Sequence, residues 1–146
     1  MNAKTFLMKH WLLERDIACL KQEINDLQLK AESIGSFDYS GDKVQVSKDL
    51  HADFETLIER KVMKLEMLHE LNQEWMRQLK EVERIISLVP NDWQREVLHC
   101  RYLSHMKFKD IAEEFCYSEQ NVYVLHRKGI KWLRDHVEVE ETNGTV

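Results

Sequence analysis

One proline and four glycines punctuate a chain of 146 residues, and that scarcity constrains the fold more than any motif does. Average usage would put Gly and Pro together near ~12% of residues. Strands alternate with turns every ~8–12 residues and turns draw on Gly and Pro, so a sandwich, a barrel or a collagen-like chain is excluded. An all-α fold of long helices remains. The five residues are placed as boundaries: Gly35 and Gly41 lie close together, Pro90 stands alone, Gly144 falls near the C-terminus, and only Gly129 sits inside a helical pattern.

Two helices carry heptads. Phe6, His10, Leu13, Ile17, Leu20, Ile24, Leu27, Ala31 and Ile34 alternate spacings of 4 and 3, which makes a narrow seam suited to pairing with another helix. Between them Lys9, Glu14, Arg15, Lys21, Glu23 and Lys30 mix both signs, as a solvated flank does. Gly35 is expected to end this helix. Residues 35–47 read as a linker, and Ser47 is placed to cap a second helix. That helix continues the 4 and 3 alternation through Phe54, Ile58, Lys61, Leu65, Leu68, Asn72, Trp75, Leu79, Val82, Ile86 and Val89. Lys61 and Asn72 interrupt its seam. A polar residue at such a position commonly fixes register and oligomer state, while a lysine can also simply reach out to water. The two helices suit an antiparallel hairpin within the chain, a dimeric four-helix bundle, or both, with a homodimer formed through the heptads of 6–34 and 54–89.

Pro90 disfavours helix at Val89 and removes a donor, so residues 1–90 read as a coiled-coil oligomerisation region that ends there. A compact module follows over 91–136, then an acidic tail over 137–146. Charge divides the same way: residues 1–90 hold 13 Lys+Arg against 16 Asp+Glu, residues 91–136 hold 8 against 7, and residues 137–146 hold 0 against 3. Only the middle module is positive, within a chain of net charge -5.

Inside that module Asn91 can cap a helix bearing Trp93, Val97, Leu98 and Cys100. A short helix, 107–115, carries Phe108, Ile111, Ala112 and Phe115. Cys116 and Tyr117 then lead to Ser118, a good cap for a last helix running to about His136. Two helices joined by so tight a turn form a helix-turn-helix pattern. With Val122, Leu125, Gly129 and Leu133 facing inward, the opposite face presents Gln120, Val124, Arg127 and Lys131, flanked by Tyr123, Lys128 and Arg134. Gln pairs with adenine and Arg with guanine, and Val or a Tyr ring touches a thymine methyl, so Gln120, Tyr123, Val124 and Arg127 are the candidates for base readout. Lys107, Lys109, Lys128 and Lys131 suit DNA phosphates, as does Arg134.

WQREVLHCRYL (93–103), KFKDIAEEF (107–115) and SEQNVYVLHRKGIKWL (118–133) resemble region four of bacterial sigma factors, a helix-turn-helix domain that reads promoter DNA and touches RNA polymerase. The joining of heptads to such a domain, with Val122-Tyr123-Val124-Leu125-His126 as a V-Y-x-L-H element, is similar to phage-encoded late-gene regulators of the ArpU and RinA types. The resemblance implies a prophage transcription regulator in a bacterial host's cytoplasm, with double-stranded DNA as partner and host RNA polymerase as a further one. It also implies that Arg101 and Asp110 pair between helices. Cys116 stands where sigma factors usually have Gly, so a differently shaped turn is expected. Glu119-Gln120-Asn121 lacks the positive charge with which a sigma recognition helix begins, so promoter specificity does not carry over.

Other classes find little support. Charged residues make up 32% and hydrophobic ones 43% of the chain, and mean hydropathy is -0.53, which suits a soluble protein with a core. No apolar run reaches the ~18 residues of a membrane span, and Met1 to Lys9 lacks a secretory cleavage pattern. Cys19, Cys100 and Cys116 share no disulfide or metal spacing, as expected in a reducing cytosol. His99, His105 and His126 fit no metalloprotease or zinc-finger spacing, and the four glycines build no phosphate loop. No metal, cofactor or enzymatic activity is expected.

Overall fold

The computed structural model describes residues 2–36 and 44–137. The tail from 138 onward and linker residues 37–43 lie outside the described residues. Every regular element described is helical: α1 (Ala3–Ser36), α2 (Val44–Ser87), α3 (Asp92–Leu98) running into a π-helical turn (His99–Leu103), α4 (Phe108–Phe115) and α5 (Glu119–His136). The all-α reading is therefore the observed fold. No described helix is long and apolar enough to cross a membrane.

Two boundaries differ from the sequence reading. α1 continues through Gly35 to Ser36, and α2 begins at Val44, so Ser47 lies inside the helix and does not cap it. Ser47 matched the cap composition, but a run of only three residues, Val44 to Val46, separates the observed start from it, and helical propagation across them costs little once the long helix exists. The C-terminal boundaries follow their signals: α2 ends at Ser87 before Pro90, and Asn91 caps α3 by accepting the Gln94 N–H at 3.0 Å.

By contact the chain forms two compact units, residues 12–75 in one and residues up to 11 with those from 76 onward in the other. The division cuts both long helices and does not fall at Pro90. In the 12–75 unit α1 and α2 run antiparallel. Gln28 meets Lys61, Glu23 meets Lys64 at 2.5 Å, and Glu14 accepts from the Trp75 indole at 3.0 Å, so the α1 position falls by 14 as the α2 position rises by 14. Ile17, Leu20, Leu27 and Ala31 of the α1 seam are buried there. Lys61, half-buried, donates to the Gln28 amide oxygen.

In the other unit a single cluster joins Ala3, Phe6 and Leu7 of α1, Val82, Ile85, Ile86 and Val89 at the end of α2, and Leu98, Tyr102 and Leu133. A smaller cluster of Val97, Ile111, Ala112 and Val122 lies between α3, α4 and α5. Arg95 ties the junction by donating at 2.9 Å to the carbonyl of Val89, two residues past the end of α2.

Candidate nucleic-acid interface

The α4 to α5 turn is built from local chemistry. The Cys116 N–H bonds to the carbonyls of Ala112 and Glu113, and the Tyr117 N–H reaches the Ala112 carbonyl at 3.0 Å, which closes α4 as a Schellman motif. That motif needs a left-handed residue, and Cys116 supplies it at φ 56, ψ 36. The expectation of a differently shaped turn is corrected: the backbone adopts the usual left-handed geometry with a cysteine in place of glycine. Ser118 then caps α5, accepting the Asn121 N–H at 3.1 Å, with Glu119 in the first turn where the helix dipole favours an acid.

α5 turns Val122, Gly129 and Leu133 into the core. Gln120, Arg127, Lys128, Lys131 and Arg134 are exposed, Val124 is half-buried, and Tyr123 is 42% exposed. Lys107 and Lys109, at and just after the start of α4, are exposed as well. Arg134 lies 3.9 Å from the Asp135 carboxylate, whereas Lys107, Lys109, Arg127, Lys128 and Lys131 make no ion pair among the described residues. Tyr123 connects the two helices: its ring packs on Phe108 with centroids 4.5 Å apart, which sets the α5 face beside the lysines of α4.

Behind that face lies a network that sequence reasoning missed. The Tyr102 hydroxyl and His126 Nε2 are 2.6 Å apart, and the His126 ring meets the edge of Phe108 at 5.0 Å. Burial pushes the Tyr102 phenol up to about 12, opposed by the Arg101 charge. Burial, with the charges of Lys4 and Arg101, brings His126 down to about 4. Both groups are neutral near pH 7, so a single proton links the phenol oxygen and Nε2. The Tyr102 carbonyl, in the π-helical turn, accepts at 2.9 Å from both His10 Nε2 and Trp11 Nε1. A carbonyl only accepts, so His10 carries its proton on Nε2.

Arg101 does not pair with Asp110, contrary to the expectation from sigma factors. Its guanidinium donates to the Met106 carbonyl at 3.1 Å and lies over the rings of Trp11 and Phe108, 5.3 and 4.7 Å from their centroids. The π-helical turn and a left-handed His105 (φ 56) redirect the chain here, turning Arg101 toward aromatic faces. The V-Y-x-L-H element contains His126, but nothing local names Tyr102 as its partner 24 residues away.

An antiparallel helix pair leading into a small helical domain with a tight helix–turn–helix connection defines the class of this chain. Residues 33–134 match the family described as "Protein of unknown function (DUF1492)", and the chain belongs to that family. No curated protein and no solved structure matches it.

Proposed function

We propose that the chain is a sequence-specific DNA-binding transcription regulator, acting in phage or prophage late-gene control, that lays α5 in the major groove. The observation that carries this reading is the row of exposed Arg127, Lys128 and Lys131 on α5, without an ion pair among the described residues and set beside Lys107 and Lys109 by the Phe108–Tyr123 contact. Gln120, Tyr123, Val124 and Arg127 face base edges, and Lys107, Lys109, Lys128 and Lys131 face phosphates. The regulator works as a homodimer through its heptads and performs no chemistry of its own.

Selection of full-length protein on randomised duplexes, followed by titration on the enriched duplex, tests this. Arg127→Ala should cost ~1–3 kcal/mol and relax one base position. Lys131→Ala should weaken all duplexes alike and lower the salt slope by about one. Failure to enrich any duplex at moderate salt overturns the reading.

One observation favours a second reading, an adaptor docking on RNA polymerase or a sigma factor. Trp93 is 49% exposed, with Phe115 and Tyr117 edge-on to it at 5.6 and 5.2 Å. Exposed aromatic clusters of this kind anchor protein interfaces. Polymerase captured by wild type and by Arg127→Ala, but not by Trp93→Ala, would favour it.

A further inference from the structure

α1 spends its narrow apolar seam inside the hairpin, but α2 does not. At 100° per residue the apolar sector of α2 is about 180° wide, more than one partner helix covers. Leu57, Leu68, Leu71 and Trp75 are half-buried on the inner side. On the outer side Phe54 and Ile58 are each 36% exposed, Leu65 43% and Val62 50%. Ile58, Leu65 and half-buried Asn72 of the α2 seam, with Val62 and His69, follow one another at spacings of 4, 3, 4 and 3, a heptad line rotated outward from Leu57, Leu68, Leu71 and Trp75.

We propose that a second copy of this chain covers the outer seam, parallel and in register, so that two α2 helices form a coiled coil outside their own hairpins. Charge complementarity selects this occupant. In a parallel coil of this register, Lys61 of one copy lies across from Glu66 of the other, five residues further on, the spacing at which flanking charges meet. Among the described residues Lys61 bonds the neutral Gln28 amide and no carboxylate, and exposed Glu66 has no partner. Asn72 selects the same arrangement. In register it faces its own counterpart, and each amide can donate to and accept from the other. Antiparallel pairing centred on Leu65 would set it against Ile58. The inference rests on the homodimer of the proposed function and names its surface.

Sedimentation of the full-length chain at micromolar concentration should give twice the chain mass. Leu65→Glu, at an exposed position, should give one chain mass with unchanged helical circular dichroism. Lys61→Glu should weaken the dimer at least tenfold, and adding Glu66→Lys should restore it. With Cys19, Cys100 and Cys116 replaced by Ser, Asn72→Cys should cross-link to its counterpart on mild oxidation. A monomeric wild type, a dimer indifferent to Leu65→Glu, or cross-linking of Ile58→Cys to Asn72→Cys without a 72–72 link would each overturn the proposal. Duplex selection is scored separately. A parallel dimer that enriches no duplex sinks the DNA reading alone, and a monomer that enriches one sinks the dimer alone.

Discussion

Cys116 holds a backbone conformation that its side chain resists. A Cβ in the left-handed region costs ~1–2 kcal/mol, while glycine adds ~0.5–1 kcal/mol of unfolded-state entropy to be lost on folding. Cys116 is exposed, so its thiol contributes no core packing. Cys116→Gly should therefore stabilise the chain by up to ~1 kcal/mol, read as a higher urea midpoint at unchanged slope. His126 gives a second prediction, set by proton linkage. Its folded value near 4 lies below its ordinary 6.5, so the unfolded chain binds more protons between those values and stability rises with pH across that window. The contribution is complete above about 6.5 and is lost as pH falls toward 4. His126→Gln can keep a hydrogen bond to the Tyr102 hydroxyl, whichever partner donates, while removing the titration. Its stability curve should be flatter than wild type between pH 6.5 and 4, and a parallel curve would sink the account.

At the scale of elements, α5 approaches α3 as closely as Gly129 allows. A Cβ there would lie 3.0 Å from Leu98 Cδ1 and 3.3 Å from its Cγ. Leu98 is fully buried, so it can give way only by repacking its neighbours. Alanine gains ~1 kcal/mol of helix propensity at most, and overpacking costs ~1–3 kcal/mol. Gly129→Ala should be neutral to mildly destabilising in thermal melts, and Gly129→Leu strongly destabilising; a clear gain for alanine would show that Leu98 repacks. The inward place of Gly129 was legible because α5 repeats its buried positions at helical spacing. So were the caps at Asn91 and Ser118 and the end of α2 before Pro90, since each signal lies within a few residues of its effect. The start of α2 was misread because Ser47 has the composition of a cap without being one. The bonds of His10 and Trp11 to the Tyr102 carbonyl, 92 and 91 residues away, were hidden for a different reason. Heptad spacing marks His10 as a seam residue, but the acceptor it meets exists only once the π-helical turn has formed.

The same limit governs the molecule as a whole. Composition and charge change at Pro90, and a reader of the sequence cuts there, yet packing does not. Seven of the ten residues in the main buried cluster precede Pro90: Ala3, Phe6, Leu7, Val82, Ile85, Ile86 and Val89. Only Leu98, Tyr102 and Leu133 come from the module that carries α4 and α5. A fragment starting at Asn91 would expose those three and keep the smaller cluster of Val97, Ile111, Ala112 and Val122 as its core. Domains this short have little stability to spare. The fragment should therefore melt without a cooperative transition, whereas the full chain melts cooperatively. Leu7→Ala in the full chain should cost ~2–5 kcal/mol despite lying on the first helix, because Leu7 is fully buried in that cluster. A fragment that unfolds cooperatively with the helicity of residues 91–136 would show that the smaller cluster suffices. In that event α1 and the end of α2 brace a domain that already stands, and Leu7→Ala would leave α4 and α5 folded.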